Sequence, residues 1–460
     1  MPQNLLSVLR QRGRLSAGVL ADTLGVSRPT LMRAVRSAGD QVVVLGRARR
    51  TTYAARRLLR GSAAALPVYR VDTQGEIHEL GRLHLTFPPF STALEFFGAI
   101  EWPLDDDSRD GWFDGLPYPV YDMRPQGFLG RHFAMLYSPL LRVDANPERW
   151  NDDDVLYALS MLGEDTVGNL LIGESSCDRW LAHAARSKAD AHADAVGDEA
   201  VAEVYPRLAQ QAMSEGLPGS SAGGEFTKFT ALRRDPASGA FRHVLVKFSG
   251  ADDAAATLRW ADLLVCEHLA LHTLDKVLDI PAAQTTLHRA GGRVFLEIER
   301  FDRHGALGRS ALVSWAALNG AFFGLAGQPW AEVSRILQDR GWLNQQDGAR
   351  LDRLGLFGQL IANTDMHDGN VSFVPTSSGV RLAPAYDMLP MLYAPLRGME
   401  PPDRSYMPRL PLPANRAAWT DAARAALQFW LLASDDDRIS ADFRAICTEN
   451  AHRLSRLMPA

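Results

Sequence analysis

Residues 361–374 read IANTDMHDGNVSFV. The apolar lead-in has helical spacing, and VSFV leads out as a strand. Between them Asp365, His367, Asp368 and Asn370 fall within six residues. Four residues separate Asp365 from Asn370. In phosphoryl-transfer loops that spacing joins an aspartate, which accepts or orients the proton of an attacking hydroxyl, to an asparagine whose oxygen ligates magnesium. Magnesium is a hard cation that takes oxygen ligands, so a second carboxylate is needed. APAYDML, residues 383–389, supplies Asp387 after the strand-like run VRLAP.

Upstream lies GLPGSSAGGEFTKFTAL, which begins at Gly216 and holds Gly219, Ser220, Ser221, Gly223 and Gly224. Such glycines let a backbone approach a phosphate and offer it N–H groups. Taken alone the stretch also reads as a plain hairpin, and it lacks the Lys-Ser/Thr that closes a Walker loop. RHVLVKFS, residues 242–249, alternates as a strand with Val244, Val246 and Phe248 on one face and Leu245 and Lys247 on the other. A lysine among apolar neighbours is costly unless a fixed anion meets it; the plain alternative is a lysine reaching solvent at a strand end. LRWADLLVCEHLALHTL, residues 258–274, is a helix that puts Leu264, Glu267 and Leu271 on one face. An inward glutamate needs a cation, and Lys247 is the nearest candidate. Each feature alone has a capping or exposed reading. In this order they match the parts of a kinase-type site.

The chain has 460 residues, enough for two or three domains. An apolar fraction of 46% with 22% charged residues describes a globular protein. No apolar run approaches the roughly 20 residues that span a bilayer. The N-terminus has no charged-then-apolar leader, so a cytoplasmic protein without membrane partners is expected. Cys177, Cys266 and Cys447 are scattered and odd in number, which fits buried inert thiols. His268 and His272 lie four apart on one predicted helix, a spacing that can ligate metal, but no third ligand accompanies them.

Net charge is −5, and residues 1–60 hold twelve arginines against two aspartates, so the remaining chain carries −15. That asymmetry points to an appended module that meets a polyanion. The same stretch has a helix-turn-helix rhythm. Asn4–Arg12 is amphipathic; Ser16 caps a second helix stopped by Gly25; Ser27 caps a third with Pro29 in its first turn. Arg28, Thr30, Arg33 and Arg36 remain available for phosphates or base edges. VVVLGRARRTTYAA follows as a hairpin with Arg47 and Arg49 at its tip, a wing. Residues 61–150 read as mostly strand and loop, with a turn at Gln74-Gly75 and a solvated acidic run at Asp105–Asp107. Residues 178–215 read as helical and alanine-rich.

ADTLGVSRPTLMRAV resembles winged helix-turn-helix modules. GSSAGGEFTKF, LVKFS, EIERFDR, NTDMHDGN and AYDMLPMLY resemble the HipA-like serine/threonine kinases, the toxins of HipA–HipB toxin–antitoxin systems. With the appended module, the chain looks like the YjjJ (HipH) branch. The resemblance implies an α+β, two-lobed, protein-kinase-like fold behind an N-terminal winged helix-turn-helix. The expected domains are 1–60 (DNA-binding), 61–150 (β-rich), 151–302 (N-lobe with helical linker) and 303–460 (helical C-lobe). It implies ATP and Mg2+ as cofactors. The loop Gly219–Gly224 would cover phosphates, Lys247 would bind their oxygens, and Glu299 and Phe301 would form the adenine hinge. Asp365 would be the catalytic aspartate with His367 beside it, and Asn370 and Asp387 would hold the metal. Ser220, with Ser221 adjacent, matches the serine that HipA kinases autophosphorylate. Implied partners are DNA, a protein with a Ser/Thr acceptor such as a translation component, a HipB-like antitoxin and a second copy of the chain. Two departures stand out. Gly369 occupies a place where relatives often carry lysine, and Asp368 adds negative charge beside the phosphates. The fused DNA-reading module leaves the need for a separate antitoxin open. Competing readings are a transcription regulator with a pseudokinase sensor, and a metal-dependent nuclease or phosphodiesterase built on Asp365, His367, Asp368 and Asp387.

Overall fold

The computed structural model describes residues 2–189, 194–214, 226–325, 327–396, 401 and 403–458. The N-terminal unit holds α1 (Pro2–Arg12), β1 (Leu15–Ser16), α2 (Ala17–Leu24), α3 (Arg28–Ala38), β2 (Val42–Leu45) and β3 (Thr52–Ala55). Leu5, Leu9, Leu20, Leu31 and Val35 form its small core. Ser16 and Ser27 accept from Val19 N and Thr30 N, satisfying orphan donors at the starts of α2 and α3. Gly25 ends α2 at φ +63°, a left-handed turn that favours glycine. The antiparallel order β1-β3-β2 puts Arg47, Arg49 and Arg50 in the connecting tip.

The arginines of this unit divide into two sets. Arg28, Arg33, Arg36, Arg47 and Arg49 are exposed. Arg14 instead pairs with Asp107 at 3.0 Å, Arg50 with Asp110 at 3.1 Å and Arg60 with Asp154 at 2.5 Å, and Arg57 pairs with Asp153. Part of the charge asymmetry is thus answered inside the chain. The acidic run expected as a solvated loop is a helix start: Asp105 accepts from Ser108 N at 2.9 Å, and Asp107 meets Arg14.

The middle unit is a five-stranded antiparallel sheet of β4 (Leu66–Val71), β5 (Ile77–Thr86), β6 (Ser91–Phe96), β7 (Trp112–Asp114) and β8 (Leu170–Ile172), in the order β7-β6-β5-β4-β8. The turn at Gln74-Gly75 closes on Asp72, whose carboxylate accepts from Gln74 N and Glu76 N. Helices α4 (Gly127–Leu141), α5 (Asp152–Leu162) and α6 (Glu174–Ala189) complete it. Since β8 pairs with β4, and Trp180 and Ala184 pack on Val71 and Leu171, residues 152–189 pack with this sheet. The region expected to be mostly strand and loop therefore includes the 15-residue α4. Its buried stripe is Gly130, Ala134, Ser138 and Leu141, three of the four small or polar.

The kinase-like part begins with α7 (Val201–Ser214), β9 (Thr227–Arg234), β10 (Phe241–Phe248), α8 (Ala255–Val277), β11 (Thr285–Ala290) and β12 (Arg293–Glu299). The sheet runs β11-β12-β10-β9, all antiparallel. Val244, Val246 and Phe248 pack with Tyr205, Phe229 and Phe295 under α7. The alternation of β10 thereby sends Leu245 and Lys247 to the opposite face. The second lobe holds β13 (Val313–Ser314), α9 (Trp315–Phe322), α10 (Trp330–Asp339), α11 (Gln345–Leu360), β14 (Ser372–Thr376), β15 (Gly379–Leu382), α12 (Arg416–Asp435) and α13 (Ala441–Ser455). Phe357, Phe429, Trp430 and Phe443 are fully buried in the core that binds the helices. The fold is α+β and two-lobed, with the cleft between β10–β12 and the β14–β15 hairpin.

Candidate active site

Lys247 ends the inward face of β10, and Glu267 stands mid-way along α8. Lys247 Nζ donates to Glu267 Oε1 at 2.7 Å and Oε2 at 2.8 Å. It also donates to Asp387 Oδ1. Lys247 is 2% exposed and Glu267 0%, so neither charge could be carried without the other. Burial disfavours charge on all three groups. Asp387 and Glu267 nevertheless hold the ammonium on and raise its pKa. Lys247, and then Lys228, pull the Asp387 carboxyl below its ordinary range. Burial pushes the Glu267 carboxyl up, with Lys247 opposing. The strand lysine and helix glutamate, candidate partners by their order along the chain, meet; the aspartate completing the triad comes from 140 residues further on.

Asp387 sits at φ +51°, a left-handed backbone that aspartate tolerates better than most residues. Asn363 fixes it to the loop: its Nδ2 donates to the Asp387 carbonyl at 3.3 Å, and its Oδ1 accepts from Asp365 N at 3.0 Å. The loop closes on itself, since Asn370 Nδ2 donates to the Asp365 carbonyl at 2.7 Å and Gly369 N donates to His367 Nδ1 at 3.0 Å. Asp365 and His367 stand at the rim, with side chains 53% and 60% exposed and 4.0 Å apart. Asn370 is buried.

The donors fit a magnesium ion. The Asn370 amide nitrogen is engaged by the loop, which leaves its oxygen free to ligate, and Asp387 meets Lys247 through one oxygen and keeps the other. Both are hard oxygen donors of the type magnesium takes.

A cleft of about 590 Å³ opens beside these groups, lined by Lys247, Ile298, Glu299, Phe301, Tyr386 and Asp387. The Glu299 side chain lies 3.7 Å from Arg242. Phe301 packs at a tilt on Tyr386, ring centroids 6.0 Å apart. Tyr386 OH donates to the Gly369 carbonyl and meets Ser372 Oγ, each at 2.7 Å, so one ring links Phe301, after β12, to the loop that carries Asp365 and Asn370. Leu129, Phe133 and Tyr137 of α4 supply an apolar wall from the middle unit. Gly219, Ser220, Ser221, Gly223 and Gly224 lie outside the described residues. Sequence reasoning missed Asn363, Tyr386 and the α4 wall. Asn363 and Tyr386 do lie inside the quoted motifs NTDMHDGN and AYDMLPMLY, but α4 carried no signal of proximity.

At the other end of the molecule, Arg28, Arg33 and Arg36 share the exposed side of α3, with Arg33 Nη2 donating to Thr30 Oγ1 at 3.2 Å. Arg47 and Arg49 stand exposed on the hairpin tip. No helix among the described residues is long and apolar enough to cross a membrane.

Comparison with known proteins agrees with this architecture. Residues 62–181 match the family described as YjjJ-like toxin, middle domain, and residues 220–452 match the HipA-like C-terminal domain. Toxin YjjJ of Escherichia coli is 36% identical over 452 residues, covering 98% of this chain and 97% of that protein. A chain of the Shewanella oneidensis toxin–antitoxin complex of HipA, HipB and operator DNA superposes with TM-score 0.55 at 18% identity, covering 85% of this chain and 97% of that chain. At that identity the likeness shows the fold. With kinase-like lobes behind a YjjJ-type middle domain, the chain belongs to the YjjJ/HipA family of toxins.

Proposed function

We propose that the protein is an ATP- and Mg2+-dependent serine/threonine protein kinase of the HipA type with its own DNA-binding module. The observation that carries this is the buried Lys247–Glu267–Asp387 triad, open to a cleft on its Asp387 side. A buried ion pair is weak as a stabiliser, so its retention at a cleft floor favours a phosphate-binding role. Glu267 orients the Lys247 ammonium, which presents its charge to phosphate oxygens. Asp365, solvent-accessible at the rim, accepts or orients the proton of the incoming hydroxyl. Asn370 and Asp387 hold the metal, which when bound neutralises charge on the phosphoryl group in transfer. The backbone around Glu299–Phe301 meets the adenine, and His367 flanks the phosphates. Most of the acceleration in such a site comes from positioning and charge stabilisation.

In this reading Ser220, or its neighbour Ser221, is autophosphorylated in the glycine-rich loop. The arginines of α3 and of the hairpin tip, with Thr30, contact DNA. The Shewanella complex makes a HipB-like antitoxin a reasonable partner. The acceptor is a protein serine or threonine, for which a translation component is the family's precedent, and a homodimer suits paired DNA half-sites. The nuclease reading is less favoured: among the described residues, Asp72, Glu76 and His78 bring ligand atoms within 4.8 Å of one another, whereas Asp365, His367, Asp368 and Asp387 do not.

The test is a melting series. ATP with Mg2+ should raise the melting temperature of the wild type well beyond ATP alone. It should fail to do so for Asp387→Asn. Equal shifts with and without Mg2+, or no shift at all, would count against the kinase reading.

A further inference from the structure

Asp368 is the feature of the catalytic loop that the proposed chemistry does not use. It lies between His367 and Asn370, and a free carboxylate there would repel nucleotide phosphates. Its Oδ2 accepts from Asn319 Nδ2 at 3.0 Å. Asn319 lies on α9, is 5% exposed, and is fixed from two sides by residue 325. Its Nδ2 donates to the Leu325 carbonyl, and its Oδ1 accepts from Leu325 N at 2.9 Å. The amide has no freedom to turn away.

Helix α9 is itself anchored by the middle unit. Ser314, its cap, donates through N to Asp122 Oδ2 and through Oγ to Asp122 Oδ1, each at 2.6 Å, and accepts from Ala317 N at 3.1 Å. A connected series of hydrogen bonds, partly buried at both ends, therefore runs from Asp122 through α9 to the loop that carries Asp365 and Asn370.

The geometry points to Asn319 as a positioning residue that ties the Asp368 carboxylate to α9 and away from the phosphate side of the catalytic loop. The inference rests on the kinase reading. It explains how this chain carries an acidic residue beside the metal-binding asparagine. Asn319 touches no reacting atom; it acts through Asp368.

The test is a donor–acceptor exchange on the full chain, read as Mg2+·ATP affinity by calorimetry, with melting curves in parallel. Asn319→Asp places a second carboxylate against Asp368, a like-charge contact, and should weaken Mg2+·ATP binding by about tenfold or more. Asn319→Asp combined with Asp368→Asn restores a donor–acceptor pair between positions 319 and 368, though not the bond to the Leu325 carbonyl, and should recover most of the lost affinity. Asp368→Asn alone removes the charge that Asn319 restrains, with little risk to folding, and should bind at least as tightly as wild type. The proposal is overturned if the double variant binds as poorly as Asn319→Asp. It is also overturned if Asp368→Asn alone loses tenfold, since the carboxylate would then itself serve the ligand. A wild type that binds no Mg2+·ATP would instead bring down the kinase reading beneath it.

Discussion

The two halves of the candidate site are built in opposite ways. The floor is Lys247 and Glu267, buried between the sheet and α8, with Asp387 closing it on the cleft side, and the two buried charges are tolerable only because they meet each other. The rim, Asp365 with His367, is more than half exposed, and is held in place through loop backbone rather than side-chain pairing. The contrast teaches where stability and chemistry are coupled. Damage to the floor should unfold and inactivate together, and damage to the rim should only inactivate.

The largest effect should follow Lys247→Ala. It leaves Glu267 buried without a cation and Asp387 beside it, a loss of about 3–5 kcal/mol. Denaturant unfolding checks this, and adding Glu267→Gln should recover part of the loss. Equal stability of the wild type and the single variant would mean the floor is solvated. Next comes Asp365→Ala, which should lower phosphoryl transfer by about 10²–10⁴-fold while shifting stability by no more than about 0.5 kcal/mol. A variant that loses both would erase the distinction between floor and rim.

A third case sharpens the comparison just after β12. Asp302 is buried, which opposes its charge, yet Arg300 and Arg303 hold its carboxyl down at about 2. Its folded pKa lies below the unfolded value near 3.9. Its contribution is therefore present above about pH 4 and lost as pH falls through about 2. Asp302→Asn should be less stable than wild type at pH 6, with the gap closing between about pH 4 and 2 in acid-unfolding curves.

The smallest effects belong to the arginines of the N-terminal unit. Arg14→Ala removes a partly exposed pair with Asp107 and should cost at most about 1 kcal/mol. Arg33→Ala should leave stability unchanged and lower the salt slope of DNA binding by about one. If Arg14→Ala weakens DNA binding more than Arg33→Ala, the division of the arginines into docking and exposed sets is wrong.

What the sequence revealed followed from local period. Alternation in RHVLVKFS and the helical stripe through Glu267 were enough to pair two residues that now lie 2.7 Å apart. The capping serines of α2 and α3 and the Gly25 stop were legible because caps and left-handed turns are residue-specific. The partners of buried charge were not. Nothing in the local pattern joins Asn319 to Asp368, Asp122 to Ser314 or Arg57 to Asp153: the first contact spans 49 residues within one lobe, and the other two close across separate units. The wall from α4 was hidden for another reason: Leu129, Phe133 and Tyr137 recur every fourth residue, but a helical stripe does not say which cleft it will face. An arginine count likewise cannot tell a guanidinium that meets the chain's own carboxylates from one that faces outward.

The most direct test of the kinase account is incubation with ATP and Mg2+ followed by intact-mass and peptide mass spectrometry, with Asp365→Ala in parallel. The account predicts one or more added phosphates on the wild type, mapping to Ser220 or Ser221, and none on a variant that still folds and still binds nucleotide. Phosphate gained equally by Asp365→Ala would contradict it.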